Sequence, residues 1–480
     1  MNSERSLRIS SWQGDLPAVC HPHFLPQAKE ILWPEKVEER AEIAVVGAGL
    51  SGLTAAYHLR DRETVVLEAG EIPGGVCQGG SYQGVKYPAG SAYFYYPWDE
   101  SWQAWYRELG LPVDEALISG PVSALFHEGR WYPDCFTLDG LRTLPLPVAA
   151  REGLIKLAAD LASWEERWEP LGSSVLSQPE LDRISLAHYL EQYRGLPPEA
   201  TLFLDSYCRS CLGAGPDAVS AWAGVFFLMS EFSPTSRTAA FPEGNTRLVE
   251  ALLRALPRPP RPRQIVVRLE PKARGLHLLI WNDLEKRPYR LEAGTVVLAV
   301  GKFVARHLLP PESGWRLDDL ARFRYSSYLV AALCGRITIK APGYENWVMG
   351  EEAFSDFVIS PRLPRSGGRV MTVFAPQPFP QGRDPLMRAR PKDKARELLG
   401  AVERLFPGTI KEVEEVRLHR FGHAQVVPYP GFLTFLKGDF PKQQGRIILA
   451  HSDLEGVPCV EAAIVQGQQA ARRVRETLGL

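Results

Sequence analysis

The stretch AEIAVVGAGLSGLTAAYHL, residues 41–59, decides the fold class. Its apolar run Ile43–Val46 predicts a short buried strand, and residues 53–59 have the spacing of a helix. Between them, Gly47 permits a tight turn, Gly49 lets the backbone approach a pyrophosphate, and Gly52 lets the helix pack on the strand. The phosphates of a dinucleotide would then lie at a helix N-terminus, where negative charge is favoured.

The next predicted strand supports the same interpretation. Thr64–Leu67 is a second short apolar run, and Glu68 follows it, about 20 residues after Gly47. A carboxylate at that place accepts hydrogen bonds from the ribose hydroxyls of a dinucleotide. A glycine fingerprint alone is weak evidence, but strand, helix and acidic residue together predict a dinucleotide site in an α/β fold.

Length and composition exclude several classes of protein. The chain has 480 residues, with 55 Lys and Arg against 56 Asp and Glu, so no net positive charge favours nucleic acid or anionic lipid. An apolar fraction of 45% and a charged fraction of 23% are typical of a folded globular protein. The seven scattered cysteines do not suggest a disulfide framework. With no signal-like N-terminus and no long apolar run, we expect a cytoplasmic protein without a transmembrane segment or a nucleic-acid partner.

The remaining chain divides by its patterns. Residues 1–40 are rich in Pro and Trp and predict an irregular extension over the surface. Residues 98–237 consist mainly of amphipathic helical stretches, which predict a helical insertion. Strand-like patterns follow at residues 265–269, 276–281, 295–300, 328–333, 370–374 and 446–450, and a final helix is predicted over residues 460–478.

Three smaller patterns have less specific interpretations. Cys208-x-x-Cys211 lies in a helical pattern without a preceding strand, so packing is a better prediction than redox chemistry. The run Cys20-His-Pro-His23 offers three metal ligands, but no second cluster completes a site, so no metal is predicted. An aromatic cluster predicts, with equal weight, a pocket lining or an interface between domains; it comprises Tyr82, Tyr87, Tyr93, Phe94, Tyr95, Tyr96 and Trp98.

Two further segments carry a family resemblance. A Gly74-Gly75 pair follows Glu68, and the chain ends with RIILAHSD at residues 446–453 and EAAIVQGQQAA at residues 461–471. With the glycine fingerprint, these segments resemble the flavin-containing amine oxidase superfamily, which includes protoporphyrinogen oxidases and phytoene-desaturase-like enzymes. The resemblance implies an FAD cofactor and a Rossmann-like FAD-binding domain interleaved with an α+β substrate domain that carries the helical insertion.

The resemblance also implies domain boundaries and cofactor contacts. The FAD-binding domain would comprise residues 41–120, 236–305 and 415–480, and the substrate domain residues 121–235 and 306–414, after an N-terminal extension of residues 1–40. The cofactor contacts would be Gly47, Gly49, Gly52, Gly74 and Gly75 at the pyrophosphate side, Glu68 at the adenosine ribose, Val267 at the adenine, and Asp453 at the ribityl or pyrophosphate region. The N-terminus of the helix that begins at Val460 would face the flavin N1–C2 edge, where a helix dipole stabilises negative charge.

Several positions depart from the family pattern. Val76 and Cys77 stand where an arginine is usual, and His451 stands where a glycine is usual. The strand 326–333 lacks the lysine that holds a water in polyamine and monoamine oxidases, and the two aromatic cage positions are Ala424 and Cys459.

Cys459 and His423 are the predicted catalytic side chains. His423 aligns with the cysteine that binds flavin covalently in some members. For each residue, simple packing is the alternative. The Cys459 thiol would be either ionised, because helix N-termini lower thiol pKa values, or neutral and packed.

We therefore expect an FAD-dependent oxidoreductase that removes hydride from a small, largely apolar or weakly polar substrate. Gly213-Ala-Gly215 lacks a preceding strand and is followed by Pro216, so it does not predict a second nucleotide site. Electrons would pass to oxygen or to another acceptor. The alternatives are an amine oxidase with a non-standard pocket, a flavin-dependent desaturase or isomerase, and a catalytically silent flavin-binding protein.

Overall fold

The computed structural model describes residues 7–15, 17–24, 31–32, 34–95, 100–164, 168, 171–233, 237–310, 314–361, 367–438 and 440–480. Tyr96 and Trp98 of the predicted aromatic cluster lie outside these residues. Across the described ranges, no helix is both long and apolar enough to cross a membrane. The fold is mixed α/β and is built on two large sheets.

The strands are, in chain order, β1 (Arg8–Gly14), β2 (Glu39–Val46), β3 (Thr64–Leu67), β4 (Gly79–Tyr82), β5 (Val85–Pro88), β6 (Phe94–Tyr95), β7 (Ser123–His127), β8 (Arg130–Pro133), β9 (Thr238–Ala239), β10 (Gln264–Lys272), β11 (Gly275–Asn282), β12 (Arg287–Leu298), β13 (Tyr325–Gly335), β14 (Glu345–Val348), β15 (Asp356–Ile359), β16 (Arg369–Pro376), β17 (Val413–Val426), β18 (Gln443–Gln444) and β19 (Ile447–Leu449).

The helices are α1 (Pro17–Phe24), α2 (Leu50–His58), α3 (Glu100–Glu108), α4 (Leu138–Thr143), α5 (Val148–Ala162), α6 (Pro179–Asp182), α7 (Leu186–His188), α8 (Pro198–Leu212), α9 (Ala221–Phe232), α10 (Thr246–Ala255), α11 (Lys302–Leu308), α12 (Leu317–Ala321), α13 (Arg383–Arg388), α14 (Pro391–Leu405), α15 (Phe432–Gly438) and α16 (Val460–Leu478).

The seven-stranded sheet contains the glycine fingerprint. Its centre is the parallel series β3-β2-β12-β19, and β11 and β10 extend it as antiparallel strands. Ile43–Val46 are all buried, as expected for a parallel strand that is covered on both faces. Helix α16, near the C-terminal end of the chain, packs along α2, which begins within the fingerprint. The first and the last segments that build this sheet therefore meet beside the fingerprint.

The eight-stranded sheet has the order β1-β17-β13-β16-β15-β14-β7-β8. β13 lies between β17 and β16 as an antiparallel neighbour of both, and all its residues after Tyr325 are buried. The strands predicted at 328–333 and 370–374 are confirmed as the central parts of β13 and β16.

The prediction that the N-terminal extension is irregular is wrong for Arg8–Gly14 and Pro17–Phe24, which form β1 and α1. β1 pairs in parallel with β17, from Arg8 opposite Glu415 to Gly14 opposite Arg420, and α1 follows it. An edge strand receives ladder hydrogen bonds from one side only. Its formation therefore depends on a partner some 400 residues away and leaves little pattern in the local sequence.

One other prediction needs correction. The described residues of the segment 98–237 are mainly helical, as predicted, and the hairpin β7–β8 in this segment extends the eight-stranded sheet. The expected domain boundary at residue 415 falls inside β17, which belongs to the eight-stranded sheet throughout its length. The C-terminal part of the seven-stranded sheet therefore begins after Val426.

Candidate active site

The glycine fingerprint forms the turn that the sequence predicts. Gly47 has a φ of +99°, and a Cβ there would lie 2.5 Å from the carbonyl oxygen of Ala299, so glycine is required. A Cβ on Gly52 would clash with the Gly47 carbonyl oxygen, which explains how α2 can begin so close to β2. By contrast, a Cβ on Gly49 would meet only the Cα of Gly75, at 4.0 Å. The space before Gly49 is open, as the approach of a pyrophosphate requires.

Gly74 and Gly75 continue the same surface. The Gly74 N–H donates to the Ala48 carbonyl at 2.8 Å, and Gly49 pairs with Gly74 as an isolated bridge. Both glycines have a positive φ, +123° and +58°, which other residues rarely adopt. The predicted glycines therefore meet in front of the N-terminus of α2, where backbone N–H groups favour phosphate.

Glu68 follows β3, and its carboxyl group holds the fingerprint loop. One oxygen accepts the Ala48 N–H at 2.8 Å, and the other accepts the Gly70 N–H at 2.7 Å. Burial raises the pKa of Glu68, and these hydrogen bonds oppose that rise. Part of the residue remains accessible, so it can also face a ligand.

Val267 lies at a bulge in β10. The bulge falls between the pairs Val266–Ile280 and Arg268–Leu279, so Val267 has no partner across the ladder to β11. A bulge residue keeps its backbone groups outside the regular ladder. This geometry fits the predicted contact with adenine but does not test it.

Asp453 is the centre of a buried polar group that the sequence analysis missed. The Lys302 ammonium donates to one carboxylate oxygen at 2.7 Å, and the Tyr325 hydroxyl donates to the other at 2.5 Å. The side chains of Lys302 and Asp453 are 0% and 1% exposed. Burial opposes ionisation of Asp453, but the charges of His451 and Lys302 hold its pKa well below its usual range. The predicted role of Asp453 at the ribityl or pyrophosphate region stays a prediction, since protein groups donate to both of its oxygens.

This Lys302–Asp453–Tyr325 triad joins the two sheets. Lys302 begins α11 after β12, Asp453 follows β19, and Tyr325 begins β13 of the other sheet. The Lys302 backbone N–H also donates to the Tyr325 hydroxyl, at 2.8 Å. The triad therefore fixes the segment between β19 and α16 relative to both sheets.

Helix α16 begins at Val460, as predicted, and Cys459 is its N-cap residue. The Cys459 sulfur accepts the Ala462 N–H at 3.4 Å. Burial, followed by the nearby Glu461 carboxylate, raises the pKa of the Cys459 thiol well above its usual value. The direction of this shift favours the neutral thiol over the ionised one, because desolvation opposes the field of the helix N-terminus.

His423 lies in β17 and stacks on Phe303, with 3.9 Å between ring centroids and 14° between planes. Burial, followed by the charges of Arg383 and His21, lowers the pKa of His423 to about 3, so its imidazole is neutral. Cys459 packs instead against the apolar core of the helical segment. The two predicted catalytic residues thus have different surroundings, and their catalytic roles stay predictions.

A group of tyrosine and carboxyl side chains lies beside the first turn of α16. The Tyr95 N–H donates to Glu461 Oε1 at 2.8 Å, and the Tyr95 hydroxyl donates to Glu231 Oε1 at 3.1 Å. The Tyr207 hydroxyl donates to the same Glu231 oxygen at 3.1 Å. We call this group the tyrosine–carboxyl cavity and define it by Tyr93, Tyr95, Tyr207, Glu231, Tyr344 and Glu345.

The residues of this group are mostly buried, and their burial raises their pKa values. Burial is the largest cause of the raised pKa values of Tyr93, Tyr95, Glu231 and Tyr344, and each of these residues keeps part of its surface accessible. Burial raises the pKa of Glu231 to about 7. Burial and the nearby carboxylates of Glu231 and Asp356 also raise the pKa of Glu345.

One oxygen in the cavity lacks a partner. Among the described residues, Glu345 Oε1 is buried and receives no hydrogen bond. A ligand group that donates a hydrogen bond would remove the cost of leaving this oxygen unpaired. No group of three or more His, Cys, Asp or Glu side chains in the described ranges is arranged to hold a metal ion.

Backbone and side-chain hydrogen bonds connect the fingerprint to this cavity. The Ser91 N–H donates to the Val76 carbonyl, next to Gly75, at 2.9 Å. The Asn245 amide donates to the Ser91 hydroxyl and to the Tyr93 carbonyl, each at 2.7 Å. The path from Gly75 to Tyr93 is therefore held at each step by hydrogen bonds.

The predicted aromatic cluster, expected to form either a pocket lining or an interface between domains, divides into two groups. Tyr93 and Tyr95 belong to the tyrosine–carboxyl cavity, whereas Tyr82 and Tyr87 pack against Ala332, Cys334 and Val370 of the eight-stranded sheet. The second pair therefore packs on that sheet, and a pocket lined by the first pair stays a prediction.

A family model described as flavin-containing amine oxidoreductase matches residues 50–475. The chain belongs to this family. The predictions of a flavin cofactor and of oxidoreductase activity are thereby confirmed, and the family acts on small-molecule substrates. No curated protein matches the sequence.

Several solved structures share the fold of this chain. Wild-type putrescine oxidase bound to putrescine is 17% identical, with a TM-score of 0.69 over 91% of this chain and 99% of that chain. Cyclohexylamine oxidase from Brevibacterium oxydans is 17% identical, with a TM-score of 0.68 over 92% and 100%. A fatty acid isomerase from P. acnes is 15% identical, with a TM-score of 0.64 over 90% and 98%. At these identities the likeness shows the fold alone.

Two residues of this family member could have been found from sequence. Lys302 is the only charged residue in the stretch 298–305, and Glu231 is the only charged residue of the apolar helix α9. A single charge in an apolar segment is rarely buried unless it is paired, so each predicts a partner. The identity of those partners had no local signal, because Asp453 and Tyr95 are more than 100 residues away.

Proposed function

We propose that the protein is an FAD-dependent oxidoreductase that removes hydride from a small organic substrate held in the tyrosine–carboxyl cavity. The observation that carries this proposal is the hydrogen-bonded path from Gly75 through Ser91 to Tyr93, which leads from the open glycine surface to the first turn of α16. Bound flavin would accept the hydride and pass its electrons to oxygen or to another acceptor.

The proposed cofactor contacts extend from the adenosine end of the site, through the glycine surface, to the first turn of α16. The pyrophosphate would lie on Gly47, Gly49, Gly52, Gly74 and Gly75, with Glu68 at the adenosine ribose and Val267 at the adenine. The open space before Gly49 supports this placement. The N-terminus of the 19-residue helix α16, at Val460, would stabilise negative charge on the reduced ring.

The FAD-binding domain would comprise residues 41–120, 236–305 and the chain after Val426. The substrate domain would comprise residues 121–235 and 306–426. The third FAD-binding segment starts later than the sequence suggests because β17 belongs to the eight-stranded sheet.

We assign Glu231 to proton transfer in this cavity. A substrate that loses hydride also loses a proton, and a group whose pKa lies near the operating pH accepts it most effectively. Burial raises the pKa of Glu231 to about 7, and the hydroxyl groups of Tyr95 and Tyr207 hold its carboxyl group in place. Glu345, with its unpaired oxygen, would orient a donor group of the substrate.

The first candidate substrate is weakly polar. Burial and the neighbouring carboxylates raise the pKa of Glu345 and favour its neutral form, which suits a neutral molecule with one hydroxyl or amide donor. Val330, in the strand 326–333 that lacks the family's lysine, is 2% exposed and packs in an apolar cluster with Tyr328 and Phe374. This apolar packing supports a pocket without the lysine that the resemblance implies for amine oxidases.

The second candidate is an amine, and the carboxyl groups themselves favour it. Glu231, Glu345 and Asp356 interact electrostatically in one buried region. A cationic substrate would offset the cost of burying these carboxylates and would restore their charged forms.

The decisive experiment is anaerobic flavin bleaching. The purified protein is mixed with a panel of primary amines, alcohols and unsaturated compounds, and the loss of flavin absorbance is recorded. Glu231→Gln should slow bleaching by any active substrate, whereas the exposed control Glu199→Gln should not.

Each outcome separates the candidates. Bleaching by neutral compounds supports the first candidate, and bleaching by amines alone supports the second. A protein that binds FAD but is bleached by neither class is not the proposed oxidoreductase. A protein that binds no FAD refutes the placement of the cofactor.

A further inference from the structure

The N-terminal residues 8–15 and 17–24 lie across both sheets. β1 adds to the edge of the eight-stranded sheet, and the carboxylate of Asp15 accepts the Gly422 N–H at 2.8 Å. After this anchor, α1 leaves that sheet and packs on β10 of the seven-stranded sheet. The family match begins only at residue 50, so this segment is a feature of the chain outside the matched region.

One face of α1 is directed at the seven-stranded sheet. Its members are Cys20, His23 and Phe24, as the i, i+3, i+4 spacing of a helix requires. The His23 ring lies 5.4 Å from the Trp281 ring, and the Phe24 ring lies 5.6 Å from the His307 ring, as centroid distances. Phe24 also packs against the apolar core beneath β10–β12.

Cys20 lies close enough to Glu68 and Asp283 for their charges to act on its thiol. Burial, followed by the charge of Glu68, raises the pKa of Cys20 to about 11, so the thiol is neutral. Helix α1 packs on β10, the strand that carries Val267. The effect of the Glu68 charge on the Cys20 thiol also places α1 near Glu68, the residue that follows β3. These are the two elements assigned above to the adenosine of FAD.

We propose that α1 forms the outer wall of the adenosine half of the FAD site, with Cys20 on the ligand side. The inference rests on the proposed FAD placement. The wall is held at two ends, by the β1–β17 pairing and by the rings of His23 and Phe24. A wall of this kind slows the release of FAD because the adenosine must leave past α1.

The first test uses Cys20 as a reporter in the otherwise unchanged protein. Its alkylation rate is measured by peptide mass spectrometry in the FAD-loaded and the FAD-free protein. FAD should slow alkylation of Cys20 at least tenfold. The matched control is Ala18→Cys on the exposed side of the same helix, whose reactivity should not change with FAD.

The second test removes the ring contacts that hold α1 on the seven-stranded sheet. His23→Ala/Phe24→Ala should increase the rate of FAD release, measured by the rise in flavin fluorescence, roughly tenfold, which corresponds to about 1.4 kcal/mol. Ala18→Ser is the control and should release FAD at the wild-type rate.

Equal alkylation of Cys20 with and without FAD overturns the inference, whether or not the double variant folds. Slower release from the double variant also overturns it, because α1 would then compete with FAD. If the protein holds FAD and Gly49→Trp abolishes binding, the cofactor placement stands even when the wall fails. If Gly49→Trp keeps full FAD binding, the placement itself is wrong.

Discussion

Replacing Lys302 with methionine should lower the free energy of unfolding by about 3–5 kcal/mol at pH 8, the usual cost of leaving one member of a buried ion pair without its partner. The magnitude follows from burial, since Lys302 and Asp453 are 0% and 1% exposed and lie 2.7 Å apart. Methionine has a similar length and no charge. The substitution therefore removes the ammonium group while filling most of the same space.

The loss of unfolding free energy in Lys302→Met should depend on pH. Whether this loss grows or shrinks with pH follows from the pKa of Asp453. In the wild type this pKa is held below the unfolded value of about 3.9, so the contribution of the carboxylate is present above that pH and is lost as the pH falls. In Lys302→Met, one of the two charges that lower the pKa of Asp453 is removed while burial still opposes ionisation, so we expect this pKa to rise above the unfolded value. The stability of the variant then falls as the pH rises, so its deficit should be larger at pH 8 than at pH 5.

The assay is urea unfolding followed by tryptophan fluorescence and circular dichroism, at both pH values and one FAD concentration. Arg390→Ala is the control, because its partner Asp393 is 43% exposed and Arg390 is 81% exposed. Such a surface pair should contribute less than about 1 kcal/mol. Lys302→Met/Asp453→Asn should be more stable than Lys302→Met alone at pH 8. A deficit below about 1 kcal/mol, or one that does not change with pH, would refute this reasoning.

Three further predictions concern the candidate active site. Gly49→Trp should abolish the yellow colour of bound flavin with little loss of stability, whereas Gly52→Ala should destabilise the fold by roughly 1–3 kcal/mol in an unfolding assay, because its Cβ meets the Gly47 carbonyl. Cys459→Tyr should change substrate binding or flavin absorbance. The wild type should show no thiolate charge-transfer band up to pH 9, and such a band would contradict the neutral thiol. Because burial raises the pKa of Glu231 to about 7, wild-type stability should fall by roughly 2–3 kcal/mol as the pH rises from about 4.5 through 7. Glu231→Gln should flatten that dependence, and an unchanged slope in urea unfolding at several pH values would count against it.

The sequence by itself determined the parts of the protein that depend on local backbone geometry. Gly47 and Gly52 could be assigned because a left-handed φ and a close helix–strand approach exclude larger residues. β3 and α16 were predicted to the residue, at Thr64–Leu67 and Val460–Leu478, since their apolar periodicity is contained within the segments themselves.

Only the tertiary structure decided which charged groups meet and in what protonation state. Lys302 and Asp453 are 151 residues apart, and the Tyr95–Glu231 contact spans 136 residues. The protonation of Cys459 was predicted with two alternatives because a helix N-terminus and burial shift a thiol pKa in opposite directions. The extent of burial selects between them, and burial depends on packing between distant segments, for which a single sequence has no periodic signal.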